Sequence, residues 1–89
     1  MTITLDETKF TSRQAAHGYL KAVLALPEWY GDNLDALRDA LGEIAEDTLL
    51  IVPKSIADEN RLGSYGKTML AVLQDSGREN PFLSVRFIP

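Results

Sequence analysis

Apolar and polar positions alternate at the start of the chain, where threonines separate Ile3 and Leu5 and Asp6-Glu7 then breaks the pattern. That alternation predicts a short strand followed by a loop. From Ser12 onward the period changes: Ala16, Tyr19, Leu20, Val23 and Leu24 recur at three- and four-residue spacing. This predicts a helix capped by Ser12, running to about Leu24 and stopped by Pro27. The segment Leu26-Pro-Glu-Trp-Tyr-Gly31 reads as a loop carrying two aromatics, and a second helix follows from about Asn33 to Ala45 with Asp32 or Asn33 as its cap. Leu49-Leu-Ile-Val-Pro53 is a continuous apolar run of strand length, of the kind buried on both faces of a parallel sheet. A short helix around Ser55 to Arg61 leads past Gly63 and Gly66 to a final helix of about Tyr65 to Asp75. Met69, Leu70, Val72 and Leu73 face inward on it, and Gly77 marks its end. Leu83-Ser-Val-Arg-Phe-Ile88 reads as the last strand.

Strands separated by helices call for crossovers rather than hairpins. The order β-α-α-β-α-α-β therefore predicts an α/β fold, a small three-stranded parallel sheet packed with helices, as one domain over residues 1–89. So thin a scaffold offers no deep cleft of the sort most enzymes use, and no catalytic residues are assigned.

The chain has no cysteine, which excludes disulfide frameworks, thiolate metal sites and cysteine nucleophiles. Apolar runs such as Leu49 to Val52 fall far short of the ~18–20 residues that cross a bilayer. No basic segment followed by an apolar one opens the sequence. A cytoplasmic protein with no membrane contact and no cofactor is expected, monomeric when free. Its net charge of −4 argues against nucleic acid and leaves a basic partner open.

The acidity is local. Glu28, Asp32, Asp35, Asp39, Glu43, Glu46 and Asp47 stand against Arg38 alone, while the rest of the chain holds six acids and eight bases. At about 100° per residue, Asp32, Asp35, Asp39, Glu43 and Glu46 share one stripe roughly 80° wide, with Leu34, Leu37, Leu41 and Ile44 opposite. Gly42 and Arg38 flank the stripe, and Asp35, three residues before Arg38, is the acid placed to pair with it. Like charges four residues apart cost about 0.2–0.5 kcal/mol per pair, and Glu43 and Glu46 sit near the unfavourable end of the helix dipole. A charge run is most often a solvated face, but such a face usually mixes signs. Single-sign clustering beside Trp29 and Tyr30 favours a surface that receives a basic site. Tyr30 is expected to cap the core and Trp29 to be exposed.

Other motifs carry less. Gly66-Lys67-Thr68 resembles the end of a phosphate-binding loop, but position 61 is Arg61 where that motif needs glycine, so a helix start after a flexible loop is expected. His17, the sole histidine, has no second ligand to share a metal and reads as a surface or partly packed residue. Asp32-Asn33-Leu34-Asp35 fails the calcium-loop pattern at Leu34 and lacks its central glycine.

The run Leu26-Pro-Glu-Trp-Tyr-Gly-Asp-Asn-Leu-Asp-Ala-Leu-Arg-Asp-Ala-Leu41 resembles the signature segment of the barstar family, intracellular inhibitors of the ribonuclease barnase. The resemblance implies a three-stranded parallel sheet with helices. It also implies a protein that lays its acidic helix and preceding loop over the basic active site of a secreted-type, guanyl-specific microbial ribonuclease. Asp39 would then stand in for the scissile phosphate, with Asp35 as a second buried acid and Glu43 further along the same face. Trp29 would be the aromatic contact, Gly31 and Asn33 part of the contacting loop, and Asp75 the nearest candidate for an interface acid in the last helix. This chain departs from the family pattern at Arg38, where an aromatic is frequent, and at Gly42 and Ile44, where larger groups occur. The reading from another class is an acidic-face interaction module for a different basic partner.

Overall fold

A computed structural model describes all residues, Met1–Pro89. Strand β1 (Thr2–Thr4) leads to helix α1 (Arg13–Val23) and helix α2 (Leu34–Gly42). Strand β2 (Thr48–Pro53), helix α3 (Gly63–Glu79) and strand β3 (Leu83–Ile88) follow. All three strands are parallel with β2 in the middle; Ile3 lies beside Leu50, and Leu50 beside Val85. The expected α/β fold with a three-stranded parallel sheet is therefore present, and β3 has the expected bounds. The short helix expected at Ser55 to Arg61 is instead a single 3-10 turn at Lys54–Ala57.

Strand order 1-2-3 with right-handed crossovers puts both connections on the same side of the sheet. The residues agree. Leu5, Leu50, Val52 and Leu83 are buried, whereas Thr2, Thr4, Ser84 and Arg86 on the other face are exposed. Leu49 and Ile51, expected to be buried, share that open face and are only half-covered. The core lies between sheet and helices, with Ala16 and Leu20 from α1, Leu37, Ala40 and Leu41 from α2, and Met69 and Leu73 from α3. Leu70 and Val72, expected inside, lie at its margin.

Helix boundaries follow from caps and close contacts. Ser12 Oγ accepts from the Ala15 amide at 3.1 Å, as expected of an N-cap. α1 ends before Pro27 because Ala25 adopts a left-handed conformation (φ 51°) and the Leu26 amide donates back to the Lys21 carbonyl. α3 is longer at both ends than the glycines suggest. At Gly66 a Cβ would stand 2.7 Å from Ala57 Cα and the Ile56 carbonyl oxygen, and at Gly77 it would stand 3.0 Å from the Val85 side chain. Both glycines admit neighbouring elements rather than breaking the helix. Gly66-Lys67-Thr68 thus lies within α3, with no phosphate-cradling loop and no flexible loop immediately before it.

Candidate protein-binding face

Helix α2 buries Leu37, Ala40 and Leu41 and turns Asp35, Arg38 and Asp39 outward. Asn33, rather than Asp32, is its cap: Oδ1 accepts from the Ala36 amide at 2.8 Å while Nδ2 donates to the Gly31 carbonyl at 3.1 Å. Asp32 precedes the cap in a left-handed conformation (φ 54°) that aspartate tolerates. The helix stops at Gly42, and Glu43 is its C-cap. The expected five-acid stripe is accordingly corrected: only Asp35 and Asp39 lie on the helix. Glu43 adjoins its end, and Asp32 and Glu46 lie beyond it, where helical spacing no longer applies.

The preceding loop is pinned from below. Tyr30 is buried, as expected, and its hydroxyl bonds His17 Nδ1; on the opposite ring edge His17 Nε2 meets the Tyr65 hydroxyl at 2.6 Å. His17 is therefore fully buried, not a surface group, because these two hydroxyls satisfy both ring nitrogens. Burial holds its pKa below the ordinary value, with Asp32 opposing the shift. Burial likewise raises the Tyr30 phenol, aided by Asp32 and Tyr65. The triad ties α1, the loop and α3 together, and between Pro27 and the anchored Tyr30 the side chain of Trp29 remains 57% exposed.

Trp29, Arg38, Asp39, Gly42, Glu43 and Glu79 line one open groove. Arg38 does not pair with Asp35. It donates to Glu79 at 2.7 Å and lies 3.9 Å from Asp75, both on α3, because α2 packs against that helix. The hydrogen bond to Glu79, then the charges of Glu79 and Asp75, hold the guanidinium pKa above its usual value. Asp35, Asp39 and Glu43 form no ion pair, since the remaining pair in the chain is Lys21 with Glu28. Gly31, Asn33 and Asp35 sit at the N-terminal end of α2, and Asp75 joins the groove through Arg38.

Sequence reasoning missed Glu79 and Asn80. Asn80 is buried and donates to the carbonyls of Leu41 and Ile44 at 2.9 Å each, accepting from the Phe82 amide at 2.9 Å. It thereby satisfies the end of α2 from the end of α3. An asparagine just past a helix reads as a cap of its own helix, so nothing local disclosed this bond.

Fold and face together define a small one-sided α/β protein built to display an acidic helix and an exposed tryptophan. The family model described as Barstar (barnase inhibitor) matches residues 1–86. The Bacillus subtilis (strain 168) protein named "Putative ribonuclease inhibitor YrdF" is 37% identical over 78 residues, with 86% of each chain covered. The chain belongs to the barstar family.

Proposed function

We propose that this protein is a non-enzymatic inhibitor of a microbial guanyl-specific ribonuclease, binding 1:1 over the enzyme's basic active site. The observation that carries the reading is the set of uncompensated carboxylates, Asp35, Asp39 and Glu43, beside an exposed tryptophan on a helix whose inner face is locked into the core. Exposed single-sign charge speeds encounter with an oppositely charged cleft, and the rigid support lowers the entropy lost on docking. Family membership and the printed description of the B. subtilis relative support the same reading. Asp39, centrally placed on the helix, stands in for the scissile phosphate; Trp29, Gly31, Asn33, Asp35, Arg38, Gly42, Glu43 and Asp75 complete the contact.

A host making an exported ribonuclease needs such an inhibitor in its cytoplasm, where the protein acts as a monomer. Titrating a panel of microbial guanyl-specific ribonucleases, barnase included, with the purified protein should suppress RNA cleavage at near-stoichiometric amounts for at least one. Absence of inhibition across the panel at micromolar protein would leave the acidic-face module with another basic partner as the surviving reading.

A further inference from the structure

The face carries a single cation, and its counter-ions lie on the neighbouring helix. With Arg38 held by Glu79 and close to Asp75, the α3 side of the surface is partly neutralised from within the chain, one cation against two acids, while the α2 side stays fully anionic. A partner cation arriving over α3 meets a guanidinium already in place, and like charges across an interface oppose association.

A second observation lies next to the ion pair. Arg38, Gly42, Ser76, Glu79, Asn80 and Pro81 line an open pocket of about 240 Å³ whose walls are part polar and part apolar. Ser76, at its wall, is 3% exposed and its hydroxyl has no hydrogen-bond partner. That hydroxyl is sealed from solvent, so the pocket offers it to no partner. The Asn80 amide is consumed by its bonds to Leu41, Ile44 and Phe82. The donors left to a partner are the Arg38 N–H groups that Glu79 does not use. At Gly42, on the pocket wall, a Cβ would meet nothing within 4 Å, so that wall is open.

We propose, on the ribonuclease-inhibitor reading above, that Arg38 selects the partner by occupying from within the chain the place a partner's cation would take against Asp75 and Glu79. The ribonuclease that fits presents there a hydrogen-bond acceptor, the oxygen of a carboxamide or carboxylate side chain, that reaches Arg38. Enzymes with lysine or arginine at that place are disfavoured, so selection works by exclusion as well as by attraction.

The test measures inhibition constants for the wild type, Arg38→Ala, Ser76→Ala and the triple variant Arg38→Ala/Asp75→Ala/Glu79→Ala against the same ribonuclease panel. Arg38→Ala should tighten inhibition of enzymes with a cation facing α3 about tenfold, by releasing two carboxylates, and weaken inhibition of acceptor-bearing enzymes by a similar factor. The tightening should vanish in the triple variant. Ser76→Ala, which alters only a hydroxyl sealed from solvent, should inhibit both groups of enzymes as the wild type does. Unchanged or weaker inhibition of cation-bearing enzymes by Arg38→Ala overturns the proposal. If neither the wild type nor Arg38→Ala inhibits any enzyme, the ribonuclease reading itself falls, a result distinct from inhibition that is insensitive to position 38.

Discussion

Replacing His17 by phenylalanine probes the support beneath the loop that carries Trp29. The ring that bonds the hydroxyls of Tyr30 and Tyr65 is fully buried, so the substitution keeps an aromatic in place and removes only its two nitrogens as partners. Tyr65 is half-buried and its hydroxyl can turn to water, whereas the Tyr30 hydroxyl, in a residue only 5% exposed, is left without a partner. A buried polar group so orphaned costs about 1–3 kcal/mol, and Tyr30→Phe should cost a similar amount by orphaning His17 Nδ1. Removing both partners leaves nothing unsatisfied between them. The double variant His17→Phe/Tyr30→Phe should therefore lose less stability than the two single losses combined, by a coupling of at least about 2 kcal/mol. Urea unfolding of the four proteins gives this coupling directly. Strict additivity would refute the buried bond as the element fixing the loop.

The depressed His17 pKa gives stability a sign with pH. Above 6.5 the ring is neutral folded and unfolded and there is no penalty; below it the unfolded chain binds a proton that the folded one resists. Stability should therefore fall between pH 6.5 and the lower folded pKa by up to about 1.4 kcal/mol per pH unit, and denaturant midpoints of His17→Phe should lack this component. Asp39→Ala should weaken a ribonuclease complex by about 2–5 kcal/mol or more, a range the barnase–barstar complex itself helped to establish, because it strands buried cations on the enzyme. Glu46→Ala should chiefly slow association, and equal losses by isothermal titration would count against the central place given to Asp39. Gly66→Ala should destabilise by about 1–3 kcal/mol despite alanine's better helix propensity, since backbone atoms at 2.7 Å cannot yield. Gly18→Ala, in α1 with nothing within 4 Å, should stabilise by up to about 1 kcal/mol, and urea midpoints for both check the contrast.

What local pattern encodes was legible: the Ser12 cap, the apolar side of α2 at Leu37 and Leu41, and the whole of β3. Gly66 and Gly77 misled because a glycine that breaks a helix and one that admits a neighbour look alike in one dimension. Leu49 to Pro53 read as buried on both sides for want of its neighbours, although the Thr2, Thr4, Ser84 and Arg86 alternation held the clue that one face is wet. Burial of His17 depends on tyrosines 13 and 48 residues away, and the Arg38 pairing on an acid 41 residues away. Those contacts exist only once α2 and α3 are packed. Among the candidate residues, exposure was foreseen at Trp29 and burial at Tyr30, and the arrangement of charge around Arg38 was not.

Because both crossovers lie on one side, the protein has a back. Thr2, Thr4, Ser84 and Arg86 look away from the helix layer, and the molecule measures 18 Å across its thinnest dimension. Substitutions there alter solubility, net charge or the attachment of a label without touching the acids proposed to meet a ribonuclease. Two surfaces of one small chain can thus drift under separate pressures, one answering to the enzyme and the other only to the solvent.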